Sequence, residues 1–216
     1  MRIIQIHDTP SPGGAYTVIS HLDSLINKRH SLDTIKISNK PHQELHGTKR
    51  IINDSFGFLH YLIKQYLLSR HINQQYSMAI VHHGRFIHAP TILRFLKIPT
   101  IYYCHEPPRA LYEKELSIPK GLSLVKKFYK MKIRQIRKQL DYLNVQKATL
   151  VVTNSAFTAQ NIKKTYKRDA FVVGVGINTK TFKKERLQKK EQIISVGNAQ
   201  PQKNYTLAIK AISLLP

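Results

Sequence analysis

The 216-residue sequence contains only one cysteine, Cys104. A single thiol excludes an internal disulfide and a thiolate metal cluster, and it favours a reducing compartment. We expect Cys104 to be a buried strand residue rather than a nucleophile, because the adjacent His105 is too close along the chain for the usual geometry of a base.

Acidic residues are also scarce: Asp and Glu number 12 against 35 Lys and Arg, which gives a formal net charge of +23 at pH 7. Such a chain attracts nucleic acid, anionic lipid headgroups or phosphorylated small molecules. Hydrophobic residues at 42% and charged residues at 22% indicate a folded protein. Paired Cys/His fingers and aromatic RNA-binding strands are missing, so we expect no specific nucleic-acid partner.

Long apolar runs are absent as well. No uncharged stretch approaches the roughly 18 residues of a membrane-spanning helix. The amino-terminal apolar run is short and has no small-residue cleavage site, so it does not read as a secretory signal. We expect a cytoplasmic protein whose membrane contact, if any, is peripheral and on the inner face.

Short apolar segments alternate with segments of helical period. Continuously apolar strands, each followed by a helix, predict a parallel sheet covered on both faces, which is a Rossmann-like, doubly wound α/β fold. The predicted strands are 2–7, 31–37, 77–83, 100–104, 149–153, 170–175 and 192–197. The predicted helices are 15–28, 51–70, 121–146, 155–167 and 204–214.

A glycine-containing charge run at 174–192 separates the last predicted strand and helix from the rest. We therefore expect a first domain over 1–185, and at 186–216 a linker followed by the start of an incomplete second domain. One strand and one helix cannot bury a core of their own. Either the chain is half of a larger protein, or the last unit packs on the first sheet.

Ligands of doubly wound folds bind at the carboxyl ends of the strands. Polar residues follow five of the predicted strands there, and we expect them to converge on one crevice: His7-Asp8, His82-His83-Gly84, His105-Glu106, Asn154-Ser155 and Gly197-Asn198.

Gly13 and Gly14 lie between the first strand and the first helix, where they form either a tight turn or a close approach to an anion. The spacing of the dinucleotide-binding fingerprint is missing. In the segment CHEPPR, two prolines hold a loop that presents His105 and Glu106 and directs Arg109 toward the crevice. The alternative is a surface pair of Glu106 with Arg109. The histidines lack the spacing of metal ligands, so we predict no metal site.

The helix at 121–146 is basic and amphipathic. Its charges either face solvent while its apolar stripe covers the core, or they contact an anionic membrane. The candidates for membrane contact are Lys126, Lys127, Lys130 and Arg134. Further along, Asn154 or Ser155 is expected to cap a helix, and Lys203 precedes the last helix in an arrangement that suits a diphosphate.

Together these segments resemble retaining glycosyltransferases of family 4. The resemblance covers the whole chain and is carried, in order, by Gly13-Gly14, YYCHEPPR, VVTNSAFTAQNI, GVGINTKTF and ISVGNAQPQKNYTLAIKA. It implies the GT-B fold, in which two Rossmann-like domains face each other and the amino-terminal one mostly binds the acceptor.

By resemblance, Gly13 and Gly14 approach the phosphates of the donor, the catalytic His105 contacts the transferred sugar, and Lys203 holds the diphosphate leaving group. The implied reaction transfers a sugar from a nucleotide-sugar donor to a glycan or lipid-linked acceptor, as in polysaccharide biosynthesis. No cofactor is implied. Cationic groups would stabilise the charge that develops on the diphosphate.

Two positions depart from the family pattern. Asn198 replaces the arginine that usually pairs with the downstream lysine. The paired-glutamate motif lies beyond the last residue, so the sequence predicts a truncated or split transferase that is inactive alone. The alternative is a non-catalytic basic module that binds anionic lipid or glycan.

Overall fold

The computed structural model describes residues 1–9, 13–37, 47–84, 86–113, 123–183, 190–197 and 203–214, with side chains of the second helix described from residue 57. The chain divides into two compact units, Met1–Gly176 and Ile177–Pro216. Among the described residues, no helix is both long enough and apolar enough to cross a bilayer.

The first unit is built on one parallel sheet, as predicted. Within the described residues it has six strands in the order β2-β1-β3-β4-β5-β6. The strands are β1 (Arg2–His7), β2 (Ser31–Lys36), β3 (Met78–Val81), β4 (Thr100–Tyr103), β5 (Leu150–Thr153) and β6 (Phe171–Val172). Because β2 and β3 lie on opposite sides of β1, the topological switch point falls between β1 and β3.

The helices of this unit are α1 (Gly14–Ile26), α2 (Gly47–Gln75), α3 (Arg109–Tyr112), α4 (Leu124–Val145) and α5 (Ala156–Tyr166), with a short 3-10 helix at Thr91–Arg94. All four predicted helices of the first unit are present. The sequence did not predict α3 or the 3-10 helix, since each is only one turn long and has no periodicity to detect.

Strand β1 shows why the sheet is central. Ile4 and Ile6 are fully buried in the larger core cluster, whereas Ile3 packs with Leu32 and Ile80 in a second cluster. Successive side chains of a strand point to opposite faces, so both faces of the sheet are covered. This arrangement explains the continuously apolar strands and confirms the α/β Rossmann-like fold.

The second unit contains α6 (Tyr205–Ile212). The strand predicted at 192–197 is wrong: residues 192–196 form no regular structure, and the described residues of this unit include no strand. A strand needs a neighbour to satisfy its backbone groups, and residues 177–183 and 203–214 offer none.

Candidate functional site

Polar side chains gather at the carboxyl edge of the sheet, where the switch point lies. The backbone continues the strand pairing there: His82 N–H donates to Ile6 O at 2.8 Å, and Asp8 N–H donates to His83 O at 3.3 Å. The ends of β1 and β3 are therefore held side by side. Four of the five predicted polar pairs follow strands of this sheet, after β1, β3, β4 and β5.

Four imidazoles from two strand ends and one loop contact one another, and we call them the histidine cluster: His82, His83, His88 and His105. The rings of His82 and His105 stack with centroids 5.4 Å apart, and the edge of His83 meets His105 at 5.6 Å. A hydrogen bond of 3.2 Å joins His82 Nδ1 to His105 Nε2. His82 Nε2 in turn lies 3.1 Å from Gln5 Oε1.

Burial keeps this cluster neutral. Desolvation, followed by repulsion from His83, lowers the pKa of His105 from 6.5 to about 4. Desolvation also lowers the pKa of His82 well below 6.5, and lowers that of His88 to about 3. Desolvation likewise lowers the pKa of His83. At neutral pH these side chains therefore act as hydrogen-bonding groups and not as cations.

Cys104, beside this cluster, is fully buried, as the sequence predicts. Burial, with a smaller contribution from Asp141, raises the pKa of its thiol far above the usual range. A thiol held protonated in the core is a poor nucleophile.

The two glycines at the start of α1, Gly13 at its N-cap and Gly14 as its first residue, leave open space. Gly13 caps the helix with φ 173° and ψ 162°, which is extended backbone that any residue adopts. A Cβ atom added at Gly13 or Gly14 would meet no atom within 4 Å. Packing therefore does not require glycine at either position. Free N–H groups at the first turn of a helix attract anions in general, and an approach of donor phosphates to Gly13 and Gly14 stays a prediction.

Glu106 and Arg109, which follow His105 along the chain, lie at the surface. Arg109 begins α3, and its guanidinium binds Glu113 through two contacts of 2.7 and 2.9 Å. Glu106 is a more distant partner at 3.9 Å. The surface pair that the sequence offered as the alternative therefore exists, but Glu113 is its main member. Binding of substrate by Glu106 and Arg109 stays a prediction.

Ser155 has the capping role that the sequence predicts. Its Oγ accepts a hydrogen bond from the N–H of Thr158 at 3.1 Å and caps α5. Asn154 precedes it and is half-buried at the end of β5. A ligand contact by either residue stays a prediction.

The remaining donor-side candidates belong to the second unit. Lys203 is exposed and precedes Asn204, the residue that caps α6. Asn198 lies outside the described residues. Diphosphate binding by this pair stays a prediction.

Helix α4 combines two surfaces. Its carboxyl-terminal half buries Asp141, Asn144 and Val145 against the core. Its amino-terminal half exposes large apolar side chains between lysines: Leu124 is 83% exposed and Phe128 is 62% exposed. The apolar stripe therefore covers the core along only part of the helix.

The four basic candidates on α4 differ in their surroundings. Lys126, Lys127 and Lys130 are exposed. Arg134 is half-buried and donates to Ala110 O at 3.1 Å and to Glu113 O at 2.8 Å. These carbonyls belong to the end of α3, so Arg134 fastens α3 to α4.

Two buried polar residues were not predicted as part of this region. Gln5 interrupts the apolar strand RIIQIH, and that interruption was the available signal. Asp141 is the lone acid on a basic helix, and it accepts hydrogen bonds from Ala89 N–H and Tyr166 OH at 2.7 Å and from Tyr112 OH at 3.0 Å. Asp141 supports the fold, whereas Gln5 touches the histidine cluster.

A metal site is not indicated: no group of three or more His, Cys, Asp or Glu side chains in the described part of the chain is arranged to hold an ion. The arrangement instead offers neutral hydrogen-bonding groups at the carboxyl edge of the sheet, where α1, the helix that follows β1, also begins. Such a site suits a polar, uncharged ligand group next to an anionic one.

Comparison with protein-family models identifies one match. The model of Glycosyltransferase Family 4 matches residues 12–181, which is well over half of the chain. A comparison with curated proteins gave no significant match. The matched residues include the histidine cluster, the first turn of α1 and the basic helix α4. The chain therefore belongs to glycosyltransferase family 4.

Proposed function

We propose that Met1–Gly176 is the acceptor-side domain of a retaining glycosyltransferase that moves a sugar from a nucleotide-sugar donor to a glycan or lipid-linked acceptor. The observation that carries this proposal is the pairing of a neutral histidine cluster with the open amino terminus of α1 at one sheet edge. Neutral imidazoles suit the hydroxyl groups of a sugar, and free helix N–H groups suit a phosphate.

In this proposal, His105 contacts the transferred sugar while Gly13 and Gly14 let the donor phosphates approach α1. Negative charge develops on the departing diphosphate, and the dipole of α1 stabilises it. Lys203, in the second unit, would bind a diphosphate through its own positive charge. Asn154 and Ser155, at the end of β5, would line the acceptor side.

Amide resonances of the 15N-labelled chain provide the test. Titration with glycans and with polyprenyl-phosphate sugars in detergent should shift the amides of Asn154 and Ser155, on the acceptor side, in a saturable way. Changes confined to other surfaces, or no saturable change with any acceptor, would contradict the proposal. An acceptor that shifts these amides in the wild type should bind more weakly to Asn154→Ala, while His30→Asn, which replaces an exposed side chain elsewhere, should bind normally.

Donor binding should be weak for this chain alone. Residues 177–183, 190–197 and 203–214 form one helix and no strand, whereas a nucleotide is normally held across strand ends. We propose that the donor side needs a further sheet, supplied in cis or by another chain. Nucleotide sugars should therefore raise the melting temperature very little. A clear saturable rise would show that the donor binds to this chain without a further sheet.

A second function is favoured by the exposed half of α4. Leu124, Phe128 and Met131 lie on one exposed face and are flanked by lysines, which is the composition of a helix that lies on an anionic membrane. We propose that this face binds anionic lipid headgroups and brings the domain to lipid-linked acceptors. A non-catalytic lipid-binding module would use the same face.

Vesicle sedimentation tests this surface. Each lysine near an anionic membrane contributes about 1 kcal/mol, so neutralising Lys126, Lys127 and Lys130 to Gln should weaken binding to phosphatidylglycerol vesicles by roughly 100-fold. The matched control replaces Lys163 and Lys164 of α5 and the C-cap residue Lys167 by Gln, which changes the net charge by the same amount. Equal losses in both triple variants would refute a specific role for α4. Arg134 is left intact, because it fastens α3.

A further inference from the structure

We propose that Gln5 and His82 are positioning residues that fix the tautomer of His105, so that His105 Nδ1 accepts a hydrogen bond from a hydroxyl group of the bound sugar. The identity of the partner as a sugar hydroxyl rests on the proposed function. The tautomer follows from contacts within the chain alone.

The series of hydrogen bonds from Ile19 through Gln5 and His82 to His105 is called the relay, and it starts at the backbone carbonyl of Ile19. Gln5 Nε2 lies 3.2 Å from Ile19 O, which can only accept a hydrogen bond. The amide nitrogen must therefore be the atom on that side, and it also lies 3.3 Å from Thr34 Oγ1. The Thr34 hydroxyl donates its hydrogen bond to Asp23 Oδ1 at 2.8 Å, so Thr34 Oγ1 can accept a hydrogen bond from Gln5 Nε2. Gln5 Oε1 is thus fixed as the atom that faces His82.

The next two links follow in order. His82 Nε2 lies 3.1 Å from Gln5 Oε1, an acceptor, so Nε2 carries the proton. His82 is fully buried and neutral, and a neutral imidazole has one proton, so its Nδ1 is bare. This bare Nδ1 lies 3.2 Å from His105 Nε2, which must then donate.

The relay leaves His105 with one defined hydrogen-bond acceptor, its Nδ1 atom. His105 is neutral at pH 7, because burial holds its pKa at about 4. With its one proton on Nε2, its Nδ1 keeps a lone pair. Contact with the ring of Tyr103, 4.7 Å away between centroids, further restricts the imidazole.

A lone pair in this position selects the ligand group. A hydroxyl can donate to Nδ1, whereas a phosphate or carboxylate oxygen would face the lone pair with one of its own. The relay therefore assigns His105 to the sugar and not to the diphosphate. Gln5 and His82 would act through His105 without touching the substrate.

Nitrogen NMR of the full chain labelled with 15N-histidine tests the relay at neutral pH. We expect His105 to show a protonated, pyrrole-like Nε2 and a bare, pyridine-like Nδ1, and His82 to show the same pattern. A protonated Nδ1 on His105 in the wild type would overturn the proposal directly, without any variant.

Two substitutions separate positioning from packing. His82→Asn places an amide oxygen near the former Nδ1 position and should keep the His105 tautomer, whereas His82→Leu removes the acceptor and should give a mixture of tautomers. The same fixed tautomer in a folded His82→Leu protein would overturn the relay. Sugar binding is read separately: a fixed tautomer without any binding of acceptor or donor sugar would count against the proposed function and leave the relay standing.

Discussion

The histidine cluster should make folding stability fall in mild acid. The folded pKa of His105, about 4, lies below the ordinary 6.5, so the unfolded chain takes up the proton first as the pH falls. Stability is therefore complete above the unfolded pKa and is lost as the pH drops from 6.5 toward 4. This is the direction expected for a base that is buried in its neutral form.

The size of the effect follows from the same linkage relation. Between about pH 7 and pH 5, a histidine with these two pKa values loses about 2 kcal/mol of folding free energy. The lowered pKa values of His82 and His88 add losses of the same sign. Because a whole domain is stable by only about 5–15 kcal/mol, this cluster alone should shift the unfolding midpoint visibly.

Urea unfolding followed by circular dichroism, at several pH values in that window, provides the assay. Replacement of His105 by Asn removes one titrating group, so the variant should lose about 2 kcal/mol less than the wild type as the pH falls. The His30→Asn variant, which replaces an exposed histidine outside the cluster, serves as the control for the substitution itself. Parallel curves for wild type and His105→Asn would refute the reasoning, because they would mean that the His105 environment does not oppose its protonation.

Two further predictions concern residues that hold the site in place. Asp141→Leu should lower the free energy of unfolding by about 3 kcal/mol or more, because it leaves two buried donors, Ala89 N–H and Tyr166 OH, and the half-buried Tyr112 OH without an acceptor. Asp141→Asn, which keeps one acceptor oxygen, should cost clearly less in the same urea titration. Gly84→Ala should lower the free energy of unfolding by roughly 1–3 kcal/mol, since the added Cβ would lie 2.8 Å from Ile87 O and from Tyr61 OH. Gly13→Ala, in contrast, should leave the melting temperature unchanged and weaken ligand binding. Equal melting temperatures for the two alanine variants would contradict this assignment.

The sequence was sufficient for the sheet because each strand carries its own signal. LVVT is apolar almost throughout, and the apolar run of RIIQIH is interrupted only by Gln5, a pattern that fits burial on both faces. The segment 192–197 is predicted as a strand from a similar local pattern, but among the described residues of its unit it has no neighbouring strand to pair with. Strand formation depends on a partner as well as on composition, so local reasoning failed there.

The site was only partly predictable, for a related reason. The strand ends and His105 could be found by position along the chain, but the bond between His82 and His105 joins residues 23 positions apart. Arg109 shows the limit in another way. The sequence suggests that Arg109 is directed toward the crevice or pairs with Glu106, but its shortest contacts are with Glu113, one helical turn away. Residue type indicates what a side chain can bind, while packing decides which partner it meets.

The large positive charge of the chain and the neutrality of the histidine cluster suit two different roles. Chemistry on a diphosphate needs a positive field, yet His82, His88 and His105 are held neutral by burial. Lysines on α4, in contrast, are exposed beside Leu124 and Phe128. A surface charge of this kind acts over about 10 Å or less at physiological salt, so it attracts an extended anionic surface better than it stabilises one buried leaving group. Under the proposed function, the excess charge on α4 would locate the domain at the membrane, while the strand edge would recognise the sugar.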